Sequence, residues 1–278
     1  MPKGECRKQS AFTEYFLPGG KVLKVFHDPV PLDEITRQAQ CLRAIQGANG
    51  MSGHALAEIV ETDDGRYGIV FGRDAGTWML DAYFQRPLAI RRLADTFAVA
   101  HQSVHELPGV PGLRRQRDLL KVKILQAEGL SGRAKRAILM LLQRLPDGNQ
   151  VCHGDFELTS VVLGEKRATV TDWHNAAAGN PLCDVARTSL LMTHSIGVRG
   201  WRYYLYAGYQ KMNNWLYLSA YSRLSPIDKQ ELLAWLVINA AARLGEDAGE
   251  KSRILKLVNR HLSRVLSSYA LPLPQAQD

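Results

Sequence analysis

The sequence predicts an α+β protein in two lobes, a small β-rich one over residues 1–73 and a larger, mostly helical one over residues 74–278. Three observations carry that reading. Two turn signals, Pro18-Gly19-Gly20 and Asp63-Asp64-Gly65, each separate a pair of strand-like runs. Beyond residue 73 the apolar positions recur at helical spacing instead of alternating. A chain of 278 residues also has the length to bury the cores of two lobes.

In order along the chain, "EYFL" and "KVLKVF" (21–26) flank the first turn as a hairpin. A helix follows from about 33 to 46, with Ile35, Ala39, Leu42 and Ile45 on one face and Asp33 as its cap. "ALAEIVE" and "RYGIVFG" make the second hairpin. After Arg73 come a short helix over 77–85 and a longer one from Pro87 to about 106, striped by Ile90, Leu93, Phe97, Ala100 and Val104. Helices over 115–129 and 131–145 precede a turn at 146–149. Short strands are expected at 150–153, 160–163 and 168–173, then helices at 181–195, 201–220, 226–244 and 249–268 and a loose tail, "LPLPQAQD".

Bulk properties narrow the function classes. The net charge of +8 admits an anionic ligand or simply a basic surface. There is no block of like charge and no basic–aromatic alternation, which argues against nucleic acid. The start, "MPKGECRKQS", is polar, and the longest apolar run, at 232–242, is too short to cross a bilayer. The four cysteines, at 6, 41, 152 and 183, form no CxxC pair. The expectation is a cytoplasmic protein with reduced thiols and no membrane association.

Three residues stand out chemically. Lys24 lies inside the apolar run "VLKVF", where an ammonium is costly to bury unless an anion meets it. Asp155 follows His153 at a strand end, and Asp172 ends the run "ATVTDW". Phosphoryl transfer needs a strand lysine on the nucleotide phosphates, a loop aspartate that takes the hydroxyl proton, and a later aspartate that holds Mg²⁺. Each has a plainer reading: an edge-strand lysine, a turn aspartate, a cap. His101 and His105 have the i, i+4 spacing of helical metal ligands, but His101 lies on the apolar stripe and reads as a packed, hydrogen-bonded histidine.

The stretch "HGDF....VVL......VTDW..AAAGNPLCDVARTSLL" resembles the aminoglycoside phosphotransferase and choline kinase family, which has a protein-kinase-like fold. "YGIVFGR..GTWML", "LPDGNQVCHGDF" and "WLVINAAARLGE" resemble its hinge, its entry to the catalytic loop and a late helix of its C-terminal lobe. The resemblance spans most of the chain. It implies ATP, Mg²⁺ and transfer of a γ-phosphoryl group to a small-molecule hydroxyl. It also implies roles: Asp155 as base, Asp172 as metal ligand, Lys24 on phosphate, and Asp184 as a brace for the catalytic loop.

The departures from the family pattern are specific. Where the family loop runs histidine-proline-glycine-asparagine, this chain has Glu157-Leu158-Thr159-Ser160, so the expected metal-binding asparagine is Ser160. Gln38 stands where a glutamate would pair with the strand lysine, with Glu34 one turn earlier as its substitute. "GECRKQSAF" occupies the place of the phosphate-covering loop with a single glycine, and Gly72 replaces a common hinge glutamate. These leave two readings: a working kinase, or a degenerate nucleotide-binding relative acting as a partner or sensor. After Asp172 there are twelve Lys/Arg against seven Asp/Glu, which disfavours a polycationic acceptor and points to a neutral or anionic one.

Overall fold

Turn chemistry and alternation build the first lobe. β1 (Cys6–Lys8), β2 (Phe12–Leu17), β3 (Lys21–Phe26), β4 (Glu58–Glu61) and β5 (Tyr67–Gly72) form one antiparallel sheet in the order β1-β2-β3-β5-β4. The Pro18-Gly19-Gly20 turn sets Leu17 opposite Lys21 and hence Glu14 opposite Lys24. This computed structural model describes residues 6–8, 12–27, 30–48, 58–72, 76–165, 167–194, 201–246 and 250–272. The expected lobe boundary at residue 73, most of the expected phosphate-covering loop and all but the start of the tail lie outside them. The parts of that loop that are described are strand β1 and Phe12, the first residue of β2.

Helix α1 (Leu32–Ala48) lays Ile35, Ala39 and Leu42 against Phe12, Phe26 and Ile69 of the sheet, a core of its own. Asp33 sits within the first turn of α1 and does not precede it, so it favours the helix through the dipole and is not its cap.

The second lobe is helical, as its periodicity requires: α2 (Met79–Gln85), α3 (Ile90–His105), α4 (Gln116–Gln126), α5 (Gly132–Arg144), α6 (Pro181–His194), α7 (Trp201–Leu224), α8 (Lys229–Arg243) and α9 (Lys251–Ser268). Pro87 opens a single 3-10 turn ahead of α3. Short strands fill the gaps. β6 (Thr77–Trp78), β9 (Val161–Leu163) and β10 (Ala168–Val170) form one sheet, and β7 (Arg114–Arg115), β8 (Gln150–Cys152) and β11 (Ala177–Gly179) another. Residues 77–78, expected as helix, are strand because Trp78 pairs with Val162 of β9.

Two cores hold this lobe. One surrounds the fully buried Trp235 and Ile238 of α8, packed by α4, α5, α6 and α9. The other joins Phe97 of α3, Phe156 and Tyr217 of α7. Trp173 packs against this second core and against the core of the first lobe, so one side chain touches both lobes. The loops after β8 and β10 emerge side by side at that seam.

Candidate active site

Each of the two loops carries one of the expected aspartates. After β8 the chain turns at Gly154, whose φ of +84° belongs to the left-handed region. A Cβ there would stand 2.3 Å from the Asn175 carbonyl oxygen, so only glycine lets the two loops approach. After β10 the turn is made by Asp172 itself, at φ +68°, an uncommon conformation for a residue with a side chain. Strain of this kind persists where surrounding contacts impose it, and it gathers at functional sites.

A hydrogen-bonded chain links the two carboxylates. His174 Nδ1 donates to Asp172 Oδ1 at 2.7 Å. The Asn175 amide donates to His174 Nε2 at 2.8 Å and also to Asp155 Oδ2. The other oxygen of Asp155 accepts from Arg187, at 2.8 Å from Nη2 and 3.1 Å from Nε. Arg187 is buried and spans Asp155 and Glu246, and Glu246 in turn pairs with Lys123 and Arg243. Burial opposes ionisation of Asp155, but the charge and hydrogen bonds of Arg187 outweigh it and hold its carboxyl below the usual range. Burial likewise opposes ionisation of Asp172, and the His174 hydrogen bond and Lys24 hold it well below.

Lys24 faces these loops from the first lobe. β3 lies between β2 and β5, so Lys24 is not an edge-strand lysine. Its Nζ stands 3.7 Å from Asp172 Oδ1 and 3.7 Å from the centre of the Phe12 ring. Burial lowers its pKa, and the charges of Asp172 and Glu14 offset part of that. Lys24, Gln38, Ile69, Phe71 and Asp172 line a cavity of about 50 Å³ between the lobes.

The remaining expected residues fall as follows. Gln38 lines this cavity and donates to Glu34 Oε1 at 3.2 Å. Glu34 turns away from Lys24 among the described contacts: Arg37 and Arg114 hold it, the latter at 2.6 Å from the second lobe. Ser160 is buried, and its hydroxyl donates to the Asp155 carbonyl at 3.2 Å, within the loop. The sequence reading passed over Glu14, His174, Asn175, Arg187 and Glu246. Two signals were available: counting back from the turn pairs Glu14 with Lys24, and Arg187 is the one charge in the stretch "VARTSLL".

The loop rests on a buried network. Asp184 accepts from the backbone N–H of His153 at 2.5 Å and of Gly154 at 2.9 Å. It also accepts from His101 Nε2 at 3.1 Å and His105 Nε2 at 3.2 Å. The Nδ1 atoms of those rings meet the hydroxyls of Tyr217 and Tyr221. Burial and the neighbouring His105 lower the His101 pKa to about 3, so that ring is neutral. His101, His105 and Asp184 have metal-ligand chemistry and spacing, and their ligand atoms already have hydrogen-bond partners within the protein. The His153 ring is also neutral: Nε2 donates to the Thr171 carbonyl and Nδ1 accepts from the Asp155 N–H.

Comparisons with known proteins bear on the family and the fold. The family model of the phosphotransferase enzyme family matches residues 7–226. No curated protein sequence matches the chain. Among solved structures, an aminoglycoside-3'-phosphotransferase of type VIII is 16% identical with a TM-score of 0.59, over 87% of this chain and 94% of that one. A choline/ethanolamine kinase family protein from Mesorhizobium loti is 14% identical with a TM-score of 0.54, over 97% and 90%. A thermostable mutant of aminoglycoside phosphotransferase APH(4)-Ia, in ternary complex with AMP-PNP and hygromycin B, is 14% identical with a TM-score of 0.58, over 96% and 93%. At these identities the likeness is one of fold.

Proposed function

The chain belongs to the phosphotransferase enzyme family, and from that premise we propose that it transfers the γ-phosphoryl group of ATP, with Mg²⁺, to a hydroxyl of a small molecule. One observation carries the reading: Asp155 and Asp172, joined through Asn175 and His174, face Lys24 across the seam between the lobes.

Each group then has a task. Lys24, desolvated and already paired with one carboxylate, meets the nucleotide phosphates. Gln38 borders the same cleft on the nucleotide side. Glu34 serves the contact between lobes. Asp155 orients the acceptor hydroxyl and takes its proton as the new O–P bond forms and the bond to ADP breaks. A carboxyl held below its usual range is a weak base, so orientation is its larger contribution. Arg187 and Asn175 fix its rotamer by occupying one oxygen each.

A hard cation fits the donor set. Asp172 supplies the one carboxylate that Mg²⁺ commonly takes from a protein, the other positions falling to phosphate oxygens and water. Ser160 would join it by releasing its hydrogen bond to the Asp155 carbonyl. When bound, Mg²⁺ neutralises charge on the transferring phosphates.

Lys123, Arg187 and Arg243 stand around Asp155 and Glu246, in keeping with a neutral or anionic acceptor. No described helix is long and apolar enough to cross a membrane. Cys6, Cys152 and Cys183 are unpaired, which supports a reducing compartment such as the cytoplasm.

The test is ADP production from ATP over a panel of small alcohols, wild type beside Asp155→Ala. The variant is expected to lose about 10²–10⁴-fold in rate. Equal turnover would remove Asp155 from its role.

A further inference from the structure

Lys24 faces two carboxylates, Asp172 across the seam and Glu14 on its own sheet. The second follows from the strand period. Phe12 of β2, Phe26 of β3 and Ile69 of β5 pack with α1 in one core. Alternate residues of a strand point the same way, so Glu14 shares the face of Phe12, and Lys24 shares that of Phe26. The register sets Glu14 directly opposite Lys24, and Lys24 opposite Ile69. Glu14 is 5% exposed and Lys24 6%, and both line the cavity between the lobes. Opposed residues on antiparallel strands have Cβ atoms about 4.5–5.5 Å apart, which keeps the two charges within reach of each other. A carboxylate so buried is costly unless a cation meets it.

The two acids differ in what carries them. Asp172 comes from the second lobe, with Oδ1 3.7 Å from Lys24 Nζ. Glu14 is carried by the strand beside β3, so it travels with Lys24. On the phosphotransferase reading, on which this inference rests, the Asp172 carboxylate goes to Mg²⁺ and the ammonium to phosphate. Glu14 is then the acid that stays with the lysine. Helix α1 supplies none in its place: Asp33 is exposed, Gln38 is neutral, and Glu34 is held by Arg37 and Arg114. Without Glu14 the ammonium has Asp172 as its one described acid, and a phosphate must compete with Asp172 for it. On its other side Glu14 stands opposite Arg7 of β1, so a pairing that serves only the sheet is the alternative to separate.

We propose that Glu14 is a positioning residue for the transfer: from the neighbouring strand it holds Lys24 aimed into the cleft, so that the ammonium meets phosphate once Asp172 has turned to the metal. Because this acid sits in the sheet, the lysine keeps its aim whatever the position of α1.

The probe is ATP with Mg²⁺, titrated by calorimetry into wild type, Glu14→Gln, Glu14→Asp, Lys24→Met and the double variant Glu14→Gln/Lys24→Met. Glu14→Gln is expected to weaken ATP binding about tenfold. Glu14→Asp keeps the charge on a shorter arm and should fall between Glu14→Gln and wild type. In the Lys24→Met background Glu14→Gln is expected to cost nothing further, because it acts through the lysine. Unchanged or tighter ATP binding by Glu14→Gln would overturn the proposal. So would Glu14→Asp binding no better than Glu14→Gln, or a loss as large in the Lys24→Met background as in wild type. A urea midpoint that falls in Glu14→Gln while ATP affinity holds would assign Glu14 to the sheet alone, and overturns the proposal as well. No ATP binding by wild type would sink the phosphotransferase reading and the inference with it, whereas ATP bound equally by wild type and Glu14→Gln sinks the inference alone.

Discussion

At the scale of single residues, the site is a set of charges that are each unaffordable alone. Arg187 shows this best. Burial works against its charge, and Asp155 and Glu246 overcome that and push its pKa above the ordinary value. Replacing it with methionine keeps the volume and removes the charge. Two half-buried carboxylates then lose their shared cation. Arg187→Met is expected to destabilise the protein by about 3–5 kcal/mol, read from urea unfolding. Its Asp155 carboxyl rises toward the usual range, so the acid limb of the pH–rate profile moves to higher pH. Arg187→Lys keeps the charge but loses the fork that reaches both acids, and falls between the two. Lys24 stands out in the sequence as a charge inside an apolar run, and Asp155 and Asp172 as carboxylates at the ends of strand-like runs. Arg187 sent the same signal, but its partner Glu246 is 59 residues away, and no local pattern announces such a pair.

At the scale of elements, α6 organises the centre of the second lobe. From its first turn, Asp184 binds the catalytic loop through two backbone N–H groups, and through His101 and His105 it reaches α3 and then Tyr217 and Tyr221 of α7. Asp184→Ala would leave four donors without their acceptor. The expected loss is again about 3–5 kcal/mol, with earlier proteolysis of the loop as an independent readout. Tyr221→Phe removes only one outer hydrogen bond and should cost about 1 kcal/mol. The helices were legible because three or more turns of amphipathic pattern outweigh local ambiguity: the expected 181–195 is Pro181–His194, and 131–145 is Gly132–Arg144. The strands β1, β6, β7 and β11 were not. Two or three residues cannot display an alternation, and what makes them strands is a distant partner, as Ala177 finds both Arg114 and Cys152. Ser160 was singled out for what it replaces; its actual hydrogen bond to the loop backbone depends on a fold the spacing does not reveal.

At the scale of the whole molecule, the buried titratable groups set the response to acid. His101, at about 3, and His153, also lowered, stay neutral in the fold although they would protonate near 6.5 when unfolded. The unfolded chain therefore takes up protons first, and stability falls as pH drops below about 6.5. His101 alone contributes a slope of about 1.4 kcal/mol per pH unit until its own value is reached. Asp155, Asp172, Asp184 and Glu246 all have lowered pKa values, so their contribution is intact above the unfolded value of about 4 and is lost as pH falls through the folded ones. Glu157, raised, acts in the opposite sense. Urea midpoints measured from pH 8 to pH 3 should be level at first, decline below about 6.5 and steepen below about 4. The seam between the lobes has a further consequence. Its cavity of about 50 Å³ is narrow, and Asp172 already occupies the lysine that a phosphate would seek. The Glu34–Arg114 pair and the Arg37 hydrogen bond to the Gly112 carbonyl tie the lobes together beside it. On the phosphotransferase reading proposed above, a nucleotide would bind where these ties part, and its apparent affinity would be its intrinsic one scaled by the population of that arrangement. Two variants with identical nucleotide contacts can then differ in occupancy, because what distinguishes them is how often the door stands open.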